Sequence, residues 1–202
     1  MTPFTRVVSV AAPLPETDID TDIIFPARFL LLLDRRGLGA HLFHERRRDG
    51  VGARFVLDRP PFDRAQILVA GRNFGCGSSR EHAVWALADF GVRVVVAPSF
   101  GEIFYANCFR NGVLPVRLEA APHGRIMTAA ETGAPIEIDL GSQTVRLPDG
   151  EDIPFEIEPG RRRDLMLGRD EIDAILADDI GDIRDYESRR RATRAWLDPR
   201  LK

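Results

Sequence analysis

The densest chemistry in this sequence lies in Gly71-Arg-Asn-Phe-Gly-Cys-Gly-Ser-Ser-Arg-Glu-His82. The stretch follows the apolar run Ile67-Leu-Val-Ala70 and precedes a helical periodicity. It therefore marks a strand-to-helix passage, where open α/β sheets bind their ligands. Gly75 and Gly77 allow a tight turn, and the amides of Gly77, Ser78 and Ser79 are then free to face a guest at the helix N-terminus. An anion is the expected guest. Arg80 adds a planar fork that grips a carboxylate through two hydrogen bonds, so a small carboxylic acid is as good a candidate as a phosphate.

Known anion-binding and hydrolytic patterns do not fit. No Lys follows the glycines as in a P-loop, and Arg80 stands where the dinucleotide fingerprint has its third Gly. Neither Ser78 nor Ser79 has glycines two residues to each side, as a nucleophile elbow requires. Ser78 and His82 are spaced to share a helix face, which offers a Ser-His pair, although a His packed on its own helix is the commoner arrangement. Cys76 beside the same helix N-terminus is either a low-pKa nucleophile or a small residue lining a turn. Upstream, Asp18, Asp20 and Asp22 suggest calcium, but Ile23 and Phe29 occupy the positions where an EF-hand loop has Gly and Glu, which leaves capping of the next turn as the expected role.

Composition narrows the classes. The chain has 202 residues, 44% hydrophobic and 29% charged, which is ordinary for one folded unit. With 28 basic against 31 acidic residues and a net charge of -3, it carries no electrostatic footprint for nucleic acid or an anionic membrane. Two cysteines, Cys76 and Cys108, and four histidines show no zinc or redox-pair spacing. The run Val7 to Ala12, preceded by Arg6 alone and broken by Pro13 and Pro15, is neither a signal nor a transit peptide, and the longest apolar run, 29–33, cannot span a bilayer. A soluble cytoplasmic protein is expected.

The elements that position the Gly71 to His82 segment follow from periodicity. Strands are expected at 5–10, 67–70, 92–97 and 113–118, with a loop from Pro13 to Asp22. Helices are expected from about 78 to 91, with Ala83, Ala86, Leu87 and Phe90 inward, and from 101 to 111, giving a parallel βαβαβ core with right-handed crossovers. Short strands at 136–140, 144–147 and 153–157, joined by an Asp149-Gly150 turn, form an antiparallel patch. Two helices, 170–176 and 180–196, close the chain. The second opens acidic and ends in Arg189, Arg190, Arg191 and Arg194, which reads as a solvated helix end suited to its dipole rather than a nucleic-acid patch.

Gly-Cys-Gly-Ser-Ser-Arg-Glu-His82, with Pro98-Ser-Phe100 and Asn111-Gly-Val-Leu-Pro115, resembles the swivelling domain of the aconitase superfamily. Asp20-Thr-Asp22, Pro26 with Phe29-Leu30, Gly39-Ala-His-Leu-Phe43 and the segment from Asn73 to His82 resemble more closely the separate small subunits of bacterial 3-isopropylmalate dehydratases. The resemblance spans nearly the whole chain. It implies an α/β swivelling-type fold with β/β/α layers, as a single domain over 1–202 with a C-terminal helical extension from about 165.

The resemblance also implies a hydro-lyase that interconverts 2- and 3-isopropylmalate through an enoate in leucine biosynthesis. A large-subunit partner would carry a 4Fe-4S cluster, with no cofactor on this chain. It maps a base onto Ser78, substrate binding onto Gly77, Ser79 and Arg80, a substrate-selecting apolar residue onto Leu31, and a second carboxylate ligand onto Arg35. The leucines at 30–33 otherwise read as core. Two cysteines are too few for a cluster that takes three or four thiolates, so the metal must come from the partner. Departures from the family pattern fall at Asp18, at Glu45-Arg-Arg47, at Arg169 and at Ala195. They leave open a related enzyme for a methyl-substituted malate or homoaconitate. In another class, a nucleotide-binding regulatory module would use the same helix N-terminus for phosphate.

Overall fold

The computed structural model describes residues 1–32, 34–48, 54–194 and 196. Its strands are β1 (Arg6–Leu14), β2 (Ile67–Ala70), β3 (Val94–Ala97), β4 (Leu114–Arg117), β5 (Pro135–Asp139), β6 (Thr144–Arg146) and β7 (Asp152–Pro154). The helices are α1 (Thr21–Ile24), α2 (His44–Arg48), α3 (Glu81–Phe90), α4 (Glu102–Arg110), α5 (Ala120–Glu131), α6 (Pro159–Leu167), α7 (Glu171–Asp178) and α8 (Ile180–Thr193), with short 3-10 turns between α1 and β2. All seven strands form one mixed sheet in the order β4-β3-β2-β1-β5-β6-β7. The expected α/β class, with a parallel core and an antiparallel patch, is what the chain adopts.

β1 is the seam between the two halves. Its first part pairs antiparallel with β5 from Arg6↔Asp139 to Val10↔Pro135, and its second pairs parallel with β2 from Ala11↔Ile67 to Leu14↔Ala70. The strand thus runs past the expected end at 10 and includes Pro13. The Leu14 carbonyl accepts from Gly71 N–H at 3.0 Å on the β2 side. Alternation then turns the Pro13 nitrogen to the opposite side, where residues 11–14 pair with no strand among the described residues, so its missing donor costs nothing.

The near-continuous apolar strands are explained by cover on both faces. Leu68, Ala70, Val95 and Ala97 face Ala83, Val84 and Leu87 of α3 and Phe104 and Cys108 of α4. Ile67, Val69, Val94, Val96 and Leu114 face the other way, toward Ile126 and Ala130 of α5 and Ile136, Ile138, Val145 and Ile153 of the antiparallel strands. The sequence reading missed α5, because Pro122 and Gly124 resemble a turn. Pro122 falls in the first helical turn, where its lack of N–H is tolerated. α5 is pinned by buried His123, whose Nε2 lies 2.8 Å from the Ala70 carbonyl oxygen and whose pKa burial pushes down.

Other boundaries also move. α3 begins at Glu81 rather than at 78, because Arg80, its N-cap, is extended at φ -134° and ψ 100°. α6 was not expected: Pro159 opens it and the Glu158 carboxylate accepts from the Gly160 and Arg161 amides. Asp170 caps α7 in a capping box with Asp173. α8 ends at Thr193, short of the expected 196; Ala195 and Leu33 lie outside the described residues. Gly150, at φ 90°, makes the expected turn between β6 and β7. No helix among the described residues is long and apolar enough to cross a membrane.

Candidate active site

The loop at 71–80 leaves the C-terminal end of β2 and is clamped on both sides by backbone bonds. On one side Asp18 N–H donates to Arg72 O (2.8 Å), Gly75 N–H to Ile19 O (2.7 Å) and Thr21 N–H to Cys76 O (3.0 Å). On the other, Phe74 N–H donates to Ser99 O (3.1 Å) and Gly101 N–H to Phe74 O (2.9 Å). The segment from Pro98 to Phe100, quoted above as a motif, is thus a wall of the loop. Asn73, at φ 59°, donates from Nδ2 to Asp18 Oδ1 at 2.7 Å. That bond holds the Asp18 carboxyl below its ordinary pKa, with a second contribution from Thr17. An Asn at position 18 would offer the same acceptor oxygen, so this departure from the family leaves the clamp intact.

So held, the loop presents a crest. Gly77, Ser78 and Ser79 are exposed. Among the described residues their amides donate to no protein acceptor, and no hydrogen bond engages either serine hydroxyl. The crest is fixed instead through a carbonyl, that of Ser78, which accepts from Thr21 Oγ1 at 2.7 Å. The free amides therefore belong to the loop before α3 rather than to its first turn, with Arg80 at the N-cap position.

Arg80 is largely covered, its side chain 17% exposed, and Nη1 is ion-paired to Asp22 Oδ1 while it lies 3.5 Å from the Phe25 carbonyl oxygen. Asp22 also accepts from Ala27 N–H at 2.8 Å, and Arg80 above all, then this amide, holds its carboxyl below the ordinary value. Among the described residues no acceptor engages Arg80 Nε or Nη2. A guanidinium anchored through one nitrogen, next in sequence to unpaired amides, is a donor set of the kind that can accept a carboxylate. Asp20 accepts from Ile23 N–H at 2.7 Å and caps α1, the role expected of it. The Asp22–Arg80 pair itself was not anticipated; the only signal was an Asp and an Arg in the two motifs that turn out to touch.

The remaining candidates lie in the 27–37 region. Leu30 is partly buried and packs against the core, whereas Leu31 is 88% exposed and Leu32 is also exposed, so the core reading fails for these two. Phe29 carries the anchoring that the core reading gave them, stacked on His41 at 4.1 Å between centroids. Arg35 lies with its guanidinium carbon 4.5 Å from the Trp85 ring centre on α3. Arg80 and Arg35 thus both attach to the N-terminal half of α3.

Two nucleophile readings fail. His82 does not bond Ser78: its ring stacks on Phe25 (5.9 Å, 23°) and against Trp85 (4.5 Å). The Cys76 thiol is pushed up by burial and by the charges of Asp20 and Asp18, the opposite of an activated thiolate. Cys108 is buried in α4 and raised well above the ordinary thiol range. Neither cysteine fits cluster ligation, and no group of three or more His, Cys, Asp or Glu among the described residues is arranged to hold a metal. At the other departures, Glu45 pairs with Arg28, Arg46 with Glu16 and Arg47 with Asp58, all at or near the surface.

A family model described as the aconitase C-terminal domain matches residues 1–121, which agrees with this mixed sheet and its crest beyond β2. The fold and site thus define an α/β domain of the aconitase C-terminal class. A second model, LeuD_N, matches residues 125–159. The 3-isopropylmalate dehydratase small subunit of Rhodospirillum centenum is 49% identical over 201 residues, covering 97% of this chain and 98% of that one. That of Granulibacter bethesdensis is 50% identical over 205 residues, covering 100% and 98%. A solved 3-isopropylmalate dehydratase structure from Methanocaldococcus jannaschii superposes with a TM-score of 0.68 at 26% identity, covering 89% of this chain and 99% of that one. The chain belongs to the 3-isopropylmalate dehydratase small-subunit family.

Proposed function

We propose that this chain is the cytoplasmic small subunit of a two-chain hydro-lyase, inactive alone, that interconverts 2- and 3-isopropylmalate by dehydration and rehydration in leucine biosynthesis. It acts as a single domain, with the helices beyond about residue 165 as an extension. Its partner is a large subunit, to which the 4Fe-4S cluster and its Lewis acidity toward the leaving hydroxyl are assigned. Ser78 Oγ, as alkoxide, removes the proton from the carbon α to one carboxylate as hydroxide leaves the adjacent carbon; on the return that proton goes to the carbon that lost hydroxide and hydroxide adds to the carbon that lost the proton, which gives the other isomer. A serine hydroxyl is a poor base in water. The unpaired amides of the crest and the Arg80 cation stabilise its anionic form. Arg80, Ser79 and the Gly77 amide hold one substrate carboxylate, which aligns the C–H bond with Ser78. Arg35 takes the second carboxylate and Leu31 faces the isopropyl group.

The observation that carries this reading is the exposed, unbonded Ser78 hydroxyl on a rigid crest beside Arg80, itself anchored by Asp22. The exposed apolar side chain of Leu31 favours an alkyl-substituted malate over homoaconitate, whose extra carboxylate would call for a cation there. The test is co-expression with a cluster-bearing large subunit, followed by kcat/KM on isopropylmalate, methyl-substituted malates and homoaconitate. Ser78→Ala should assemble normally and lose turnover; a mutant complex with wild-type turnover overturns the assignment.

A further inference from the structure

The motif Asn111-Gly-Val-Leu-Pro115 contributes nothing to the crest, yet the side chain of its first residue is bonded at both ends. Asn111 follows α4 as its C-cap. Its Oδ1 accepts from Trp85 Nε1 at 2.9 Å and from Arg35 Nη1 at 3.5 Å. Its Nδ2 donates to Glu81 Oε1 at 2.8 Å and to the Asn107 carbonyl at 2.9 Å. Two donors at one end and two acceptors at the other fix the orientation of the amide, since a flip would break all four bonds. The partners come from three places: Glu81, directly after Arg80, and Trp85, one turn on, from α3; Arg35 from the loop before Gly37; and Asn107 from α4.

Arg35 is exposed and has no carboxylate partner among the described residues, so its charge is available. Its position is nonetheless restrained twice, by the face of Trp85 at 4.5 Å and by Asn111 Oδ1. The platform is restrained by the same oxygen, because Asn111 fixes the indole N–H of Trp85. A cation ordered before its ligand arrives gives up less conformational freedom on binding.

We propose that Asn111 is a positioning residue that sets Trp85 and, through it, Arg35 to receive the second carboxylate of a dicarboxylic substrate. The proposal rests on the reading of Arg80 and Arg35 as the two carboxylate grips. Asn111 touches no substrate in this scheme; it acts through Trp85 and Arg35.

The assembled two-chain enzyme with isopropylmalate tests it, folding being checked by thermal melting. Asn111→Ala should raise KM about tenfold while kcat stays within about threefold, the loss expected when a charged hydrogen-bonding group is set free before binding. Arg35→Ala should raise KM similarly, and the double variant should be no worse than the weaker-binding single, because the two act on one contact. If Asn111→Ala fails to assemble, Trp85→Phe keeps a smaller aromatic platform, removes the bond to Asn111, and should also raise KM without adding to Arg35→Ala. Wild-type KM in Asn111→Ala or Trp85→Phe, with KM raised in Arg35→Ala, overturns the positioning role and leaves the carboxylate reading standing. Wild-type KM in Arg35→Ala removes Arg35 as a grip and the proposal with it. Additive losses, or a fall in kcat at unchanged KM, assign Asn111 a merely structural role and overturn the proposal.

Discussion

The ring of Phe104 closes over Gly75 so tightly that a Cβ on Gly75 would lie 2.2 Å from the ring's Cγ. Phe104 belongs to α4 and Gly75 to the loop after β2, so the crest takes its position from the following βα unit as well as from its own strand. Gly75 also holds φ at 72°. Gly75→Ala therefore meets both a clash and a left-handed backbone, which together should cost about 2–4 kcal/mol. In a domain of this size that is a fall in Tm of roughly 5–15 °C, readable by calorimetry. A wild-type melting temperature would mean that α4 shifts freely and the crest is not registered by it.

Asp22 ties Arg80 to α1, and its pKa gives the tie a pH signature. The carboxyl is held below its ordinary value, chiefly by Arg80 and then by the Ala27 amide. A depressed folded pKa contributes stability that is fully present above the unfolded value of about 3.9 and is lost as pH falls through the folded value. Asp22 is more than half exposed, so the effect is small. Asp22→Asn should flatten the acid limb of stability below about pH 4 relative to the wild type. At neutral pH it should raise substrate KM more than it lowers kcat, because Arg80 loses its fixed side. Identical acid limbs in urea titrations would show that the pair contributes nothing to folding.

Cys76 lies on the loop that carries the crest without the character of a nucleophile. Burial raises its thiol first, and the charges of Asp20 and Asp18 add to that. Alkylation by iodoacetamide should therefore be slow at neutral pH and accelerate only on the alkaline side of the ordinary thiol value of about 8.5, followed by mass spectrometry. Cys76→Ser should keep turnover close to wild type. Rapid modification at neutral pH would contradict the geometry, and loss of turnover in the serine variant would return Cys76 to the mechanism.

The parts of the fold legible in the sequence are those where one physical signal dominates. Val94 to Ala97 and Ile67 to Ala70 are continuous apolar runs because helices cover both their faces, and no polar register competes. α5 was hidden because Pro122 and Gly124 break the helical pattern locally, while what holds the helix is tertiary: Ile126 and Ala130 in the core and His123 on Ala70. Leu31 was ambiguous because an apolar run carries no record of which members a turn will expose. At the candidate site, the Gly71 to His82 motif stands out by residue type and by its place after an apolar strand. Its bonds to Asp22 and the bonds of Asn111 to Arg35 were not legible in the sequence, since they join segments 58 and 76 residues apart that no local pattern links.

Leu31 offers the cleanest separation of function from folding. It is 88% exposed on a turn anchored by the neighbouring Phe29 ring on His41, so Leu31→Arg should leave stability within about 0.5 kcal/mol of wild type. An arginine there replaces an apolar contact with a cation at the position assigned to the substituent on the malate. The ratio of kcat/KM for homoaconitate over isopropylmalate should then rise, by about tenfold or more if a charged hydrogen bond forms and an alkyl contact is lost together. The change should appear mostly in KM, because the Leu31 side chain has no donor, acceptor or charge with which to take part in the proton transfer. An unchanged ratio, with the melting temperature intact, would show that Leu31 does not face the substrate and that selection among substituted malates is made by the large subunit.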